Sequence, residues 1–381
     1  MPANAPSRAT LFPAGAFRRV AMRGLLLAVV LLAAAATLDG CEVGYVARAA
    51  WEEGWLLWRR KPIDTVLARA DLPADVRGKL QAVLKVRDFA RDNLGLNVGG
   101  AYKTVADVDR GAIVWVVMAA PRDSLKPYTW WFPVVGEVPY RGYFNKAHAE
   151  AEAEKMEQRG LDTMVRPAVA FSSLGFFNDP ILSNLLGLGR VELAGVIIHE
   201  LFHRTYFLAS DVMFDESAAA YVGGAGAVSF FEATRGPVSP EAQAAREALA
   251  SDLEFASFLK NESERLNRLY ESGLPEAEIL KRRQPIFNQI NADYARLKPQ
   301  LSGLKRFDLD KEPLNNAVLI NYLIYFHDLD KFAKIQRIYA GDLNHTIKAI
   351  IALAESDRSD PFHAIELATQ VGPQRAARAN E

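Results

Sequence analysis

Cysteine is almost missing from this sequence: its 381 residues include one, Cys41. A single thiol closes no intrachain disulfide, so covalent cross-links contribute nothing to this fold. No excess of either charge is present. Lys and Arg number 45 against 46 Asp and Glu, a formal net of −1. Such a balance leaves no basic field to hold nucleic acid. The apolar segment from Gly24 to Leu38 has fifteen residues, short of the ~20 that span a bilayer. There is no phosphate-cradling glycine loop, no GxSxG elbow, no internal repeat and no low-complexity linker.

What remains is a foldable globular chain, half of whose residues are hydrophobic. The coarse order is helix, mixed β, then helix to the end, which predicts an α+β, predominantly α-helical fold with a small mixed β-sheet and a helical C-terminal half. Residues 43–60 read as an amphipathic helix carrying Trp51, Trp55 and Trp58, a core stripe or a face laid on a bilayer. Residues 64–95 continue helical, with Asp64 or Asp71 as caps. The β-branched run Ala112 to Ala119 reads as a buried strand, with Thr129 to Gly136 as its antiparallel neighbour and Pro133 hinting at an edge. Such an edge either receives an extended ligand or is protected from pairing. At Tyr140-Arg141-Gly142-Tyr143-Phe144, Gly142 is expected to supply a turn into a helix over 145–159. Arg141 either holds a ligand carboxylate or pairs with an internal acid. Residues 239–298 read as two long antiparallel helices joined near Gly273-Leu274-Pro275, and the tail from Gln374 as disordered.

Histidine is scarce too, at six, yet two of the six stand four apart in His199-Glu200-Leu201-Phe202-His203. The run Val191 to Phe207 has no proline, and Leu193, Val196, Ile197 and Leu201 recur at helical spacing. Side chains four apart stack on one helix face, so both imidazoles can address one metal ion. Glu200 beside them is placed to take a proton from water activated there. A second helix follows, with Asp211 as its N-cap and small residues Ala218 to Ala220, Gly223, Gly224 and Gly226 that permit close approach to a neighbour. Its Glu216 completes a His, His, Glu set with an open fourth position, or is a solvated first-turn acid.

A longer series of segments surrounds these residues. It runs through Leu57-Trp58-Arg59-Arg60-Lys61-Pro62-Ile63, Val86-Arg87-Asp88-Phe89-Ala90, Tyr140 to Phe144 and Leu174 to Pro180. It continues through the HExxH segment, Phe214-Asp215-Glu216-Ser217 and Pro313-Leu314-Asn315-Asn316-Ala317. In this order the segments, spread over residues 41–345, resemble a family of bacterial predicted aminopeptidases related to the thermolysin-like zinc peptidases. The resemblance implies a zincin-like domain binding one Zn2+ through His199, His203 and Glu216, with Glu200 as general base and a peptide or protein as substrate. It also implies a hydroxyl or imidazole on a later helix that stabilises the oxyanion: Tyr325, at a position where the family generally carries Tyr, and His327 behind it. Buried Tyr satisfied by a hydrogen bond is the bland alternative. Arg204 after the second His, and the short interval from His203 to Glu216, depart from the wider zinc-peptidase pattern. A noncatalytic binding or envelope-assembly protein on the same scaffold is the other functional class, and the intact Glu200 argues for the enzyme.

The N-terminus carries Arg18, Arg19 and Arg23, then the short apolar segment, then Asp39-Gly40-Cys41. That is the layout of a secretory signal. Its Leu-x-Gly-Cys end resembles a bacterial lipobox, implying lipidation at Cys41, attachment to the lipid bilayer and a periplasm-facing place in the cell envelope. A plain secretory signal and an uncleaved anchor are the alternatives, and Met22 is an alternative start. The expected division is therefore 1–41 as signal segment and 42–381 as one domain, with a sheet and HExxH part over 42–235 and a helical part over 236–372.

Overall fold

The computed structural model describes residues 58–108, 114–132, 135–168, 178–302 and 308–371. Contacts divide the chain into compact units 1–58 and 59–381, and every described residue except Trp58 falls in the second. The signal segment, Cys41, Trp51, Trp55, the start of the β-branched run at residues 112–113, Pro133, most of the 174–180 segment and the tail lie outside the described residues. Trp58 itself is exposed.

The second unit opens with β1 (Lys61–Pro62), α1 (Ile63–Leu67) and α2 (Ala74–Asp92). The break at residues 68–73 interrupts the helix expected over 64–95. Neither Asp64 nor Asp71 caps: α2 starts after Pro73, whose fixed φ suits a helix entry. Then come β2 (Thr104–Ala106), β3 (Trp115–Ala120), β4 (Trp130–Phe132), β5 (Gly136–Val138), β6 (Tyr140–Tyr143), α3 (Lys146–Gln158), β7 (Asp162–Pro167) and β8 (Ile181–Leu182).

Strand pairing differs from the sequence expectation. β3 lies between β6 and β7, antiparallel to both, while β4 pairs with β5 in a separate hairpin. Gly136, at φ +77, opens β5 opposite Phe132 in a conformation that favours glycine. Trp131 of that hairpin is exposed, whereas β3 is buried nearly throughout and needs neighbours that close both sides. Gly142 supplies no turn: it sits inside β6 opposite Val116. A third small sheet has the order β1-β2-β8.

The elements described after these are helical: α4 (Arg190–Thr205), α5 (Val212–Arg235), α6 (Pro240–Tyr270), α7 (Glu276–Leu297), α8 (Asn316–Phe326), α9 (Leu329–Ile338), α10 (Leu343–Ser356) and α11 (Pro361–Val371). The fold is α+β and predominantly helical, with small sheets. Caps mark several of these starts. Ser239 accepts from Ala242 N, Asn315 from Val318 N and Asn145 from Ala147 N. The main core joins the inner face of β3 and β7 to α6, α7 and α8 through Met118, Met164, Phe255, Phe287, Tyr294 and Leu319. A polar hub locks one end of that interface. Asp162 of β7 accepts two hydrogen bonds from Arg283, at 2.6 and 2.9 Å, and one from Asn316 N at 3.1 Å. Asn315 also donates to the Thr163 carbonyl at 3.0 Å.

Candidate metal centre

Two helices build the site. α4 is embedded on Leu193, Ala194, Ile197, Ile198, Leu201 and Phe202, which fixes the direction in which its histidines point. α5 is capped by Asp211, whose side chain accepts from Phe214 N at 3.1 Å, and the helix so started brings Glu216 to the histidine pair. Glycine sets how near the helices come. A Cβ on Gly223 would stand 2.7 Å from the Gly195 carbonyl oxygen and 3.1 Å from the His199 Cβ, and one on Gly226 2.8 Å from Ile198.

At this crossing the Nε2 atoms of His199 and His203 are 3.0 Å apart. Glu216 Oε2 lies 3.2 Å from the first and 3.3 Å from the second. The three side chains offer donor atoms within 4.8 Å of one another, a geometry able to hold a metal ion, and no other such group occurs among the described residues. Burial opposes charge on both His203 and Glu216, yet their mutual attraction outweighs it. The Glu216 carboxyl is held well below its ordinary range and the His203 imidazole is raised to about 9. Desolvation lifts the neighbouring Glu200 carboxyl above its ordinary value, against the pull of both histidines. That is the direction a general base for neutral pH requires.

The end of α8 closes over this set. The Tyr325 ring stacks on His199, with centroids 6.3 Å apart and planes at 27°. Burial pushes its hydroxyl up to about 12, leaving it protonated across the neutral range. Ser217, next to Glu216, donates to the Ile324 carbonyl at 2.9 Å and accepts from His327 N at 3.1 Å. This hydroxyl pins the end of α8 to the start of α5. The His327 ring lies elsewhere: it packs edge-on against Phe362 and is 3.9 Å from Asp328. Among the described contacts, none joins that ring to His199, His203 or Glu216. Arg204 reaches back to Gly99, where a Cβ would collide with its guanidinium. Arg141 is buried on β6, with its guanidinium 5.7 Å from the Tyr143 ring centroid.

Two more residues join the site without having been singled out for it in the sequence. Tyr140 is half-buried in β6, and its hydroxyl senses the charges of Glu216, Arg166 and Glu200. Arg166 of β7 donates to Tyr325 Oη at 3.4 Å. Neither carries a local signal, because both arrive through the pairing of β6 and β7 with β3.

Comparison with curated proteins found no match, and comparison with solved structures found none. A scan against family models matched residues 44–364 to one family. Since that match takes in well over half of the chain, His–Glu cluster included, the protein belongs to the Putative aminopeptidase family.

Proposed function

We propose that the protein is a zinc-dependent peptidase of the bacterial cell envelope, cleaving peptide bonds with metal-activated water. The observation that carries this reading is the convergence of His199 Nε2, His203 Nε2 and a Glu216 carboxylate oxygen beside Glu200. A tetrahedral zinc with bonds of about 2.0–2.1 Å spaces its donors roughly 3.3 Å apart. The separations of 3.0 to 3.3 Å fit that demand. Three protein ligands leave the fourth position for water or substrate, the pattern of catalytic rather than structural sites.

When bound, zinc supplies Lewis acidity toward the scissile carbonyl and lowers the pKa of water. The remaining work falls to the chain. Glu200, desolvated and next to the ligands, takes the proton of the attacking water and passes it to the leaving amine. The Tyr325 hydroxyl, protonated and stacked on His199, donates to the carbonyl oxygen as that atom gains charge.

Metal analysis and peptide digestion test this together. Wild type is expected to hold about one equivalent of zinc, and His199→Ala to lose it. Glu200→Gln should keep metal and fold while turnover falls roughly 10²–10⁴-fold. Tyr325→Phe should cost less, roughly 10–10³-fold. Full zinc occupancy in a His199→Ala, His203→Ala double variant would refute the ligand set, and an undiminished Glu200→Gln the mechanism. Wild type that binds zinc yet cleaves nothing in a diverse peptide library would replace the enzyme with a noncatalytic envelope binding or assembly protein.

A further inference from the structure

Among the described residues β7 is an edge strand, paired with β3 on one side in the order β6-β3-β7. Residues two apart on a strand share a face, so Asp162, Met164 and Arg166 form one row. Asp162 meets the start of α8 at Asn316, and Met164 enters the core with Leu319 and Tyr325. Arg166 therefore arrives at the end of α8, its Cζ 5.6 Å from the Tyr325 ring centroid.

Two other arginines, Arg283 and Arg87, each make three hydrogen bonds. Arg283 donates twice to Asp162 and once to the Arg122 carbonyl. Arg87 donates to Ala101 O, Gly99 O and Asp88. Arg166 is different. Its one hydrogen bond among the described residues is the 3.4 Å contact to Tyr325 Oη, its buried Nε has no acceptor, and no described carboxylate lies within 4.0 Å. A guanidinium carries five N–H donors in a planar fork that suits a carboxylate. One long bond to a neutral hydroxyl leaves most of that capacity unused beside the metal ligands.

We propose that Arg166 is a substrate-binding residue that grips the C-terminal carboxylate of a short peptide. The C-terminal carboxylate is the one anion that every unmodified peptide backbone carries. The path back to the metal ligands is short: 3.4 Å from Arg166 to the Tyr325 hydroxyl, and 6.3 Å between the Tyr325 and His199 rings. At about 3.3 Å per extended residue, a carboxylate on Arg166 ends a peptide two or three residues past the cleaved bond. With one residue ahead of the cleaved bond, tri- and tetrapeptides are therefore the substrate class, and longer or C-terminally blocked peptides are disfavoured. Tyr140 and Tyr322, whose hydroxyls sense the Arg166 charge, stay protonated because burial raises both.

The inference rests on the peptidase reading, and the test keeps the two separable. Trialanine and its C-terminal amide are offered to wild type, R166Q and R166K. Zinc content and circular dichroism establish that the variants retain metal and fold. Wild type should prefer the free acid by roughly 10–100-fold in kcat/KM, the worth of a charged hydrogen bond. In R166Q that acid-to-amide ratio should collapse toward one through a rise in KM, and R166K should restore part of it. Equal loss on acid and amide in R166Q would overturn the proposal and leave Arg166 as a positioning residue for Tyr325. The peptidase reading itself stands or falls with the peptide library, and if wild type cleaves neither of these two peptides, calorimetric titration with the same pair still decides the anchor. Tighter binding of the acid by wild type, lost in R166Q, supports it, and equal binding of acid and amide overturns it.

Discussion

Asp328 shows how much one side chain contributes at a junction away from the His–Glu cluster. It sits between α8 and α9 in the left-handed region, at φ +47, and accepts from Lys260 at 2.8 Å and Lys331 at 2.9 Å. Burial alone would raise its carboxyl. The two ammonium hydrogen bonds outweigh burial and hold it at about 2, below its ordinary 3.8. A depressed acid stabilises the fold fully above its unfolded value and loses that contribution as pH falls through the folded one. Asp328→Asn keeps tolerance for positive φ but removes the charge. It should cost about 1–2 kcal/mol at pH 7 after allowance for solvent screening, and flatten the loss of stability between pH 4 and 2. Urea unfolding across that range checks this, and parallel acid limbs in the two proteins would contradict it. At this scale the sequence was legible where chemistry repeats at helical spacing, as in His199 and His203 with Glu200 between them. It was silent on Arg166 and Tyr140, whose neighbours come from strands 20 or more residues away in the chain.

Among the elements, the α4–α5 crossing makes the sharpest demand. The sequence showed its small residues and its Asp211 cap, and the structure puts Gly223 against Gly195 and His199. In an isolated helix Gly→Ala gains up to about 1 kcal/mol. Here the new methyl meets a backbone carbonyl at 2.7 Å, which no rotamer change relieves. Gly223→Ala is therefore expected to destabilise by roughly 1–3 kcal/mol and to weaken metal binding as His199 shifts away from Glu216. Thermal unfolding with and without zinc measures both, and a variant more stable than wild type at unchanged metal affinity would rule this out. Helices were readable because caps and apolar periodicity are local, as at Asp211 and along Leu193, Ile197 and Leu201. Strand partners were not. Residues 129–136 have the composition of a neighbour for β3, but pairing is settled by which segments close both sides of a buried strand, and that is a nonlocal choice.

For the whole molecule, family membership and helical character were both open to sequence reasoning, while the arrangement of three small sheets was not. The lipid anchor we infer from the N-terminal signal belongs to this scale and has its own test. Mature protein from membranes should begin at an acylated Cys41, and Cys41→Ser should release it or leave it unprocessed. Mass spectrometry that finds the mature terminus elsewhere would end the idea. Within the described unit, α8 is held at both ends: Asp162 and Thr163 fix its start to β7, and Ser217 fixes its end to α5. Eleven residues rising 1.5 Å each make it a ruler of about 16 Å between sheet and metal ligands. Inserting one residue would turn Tyr325 by about 100° away from His199 while both anchors strain to hold. The length of α8 is therefore not free to change while both anchors hold.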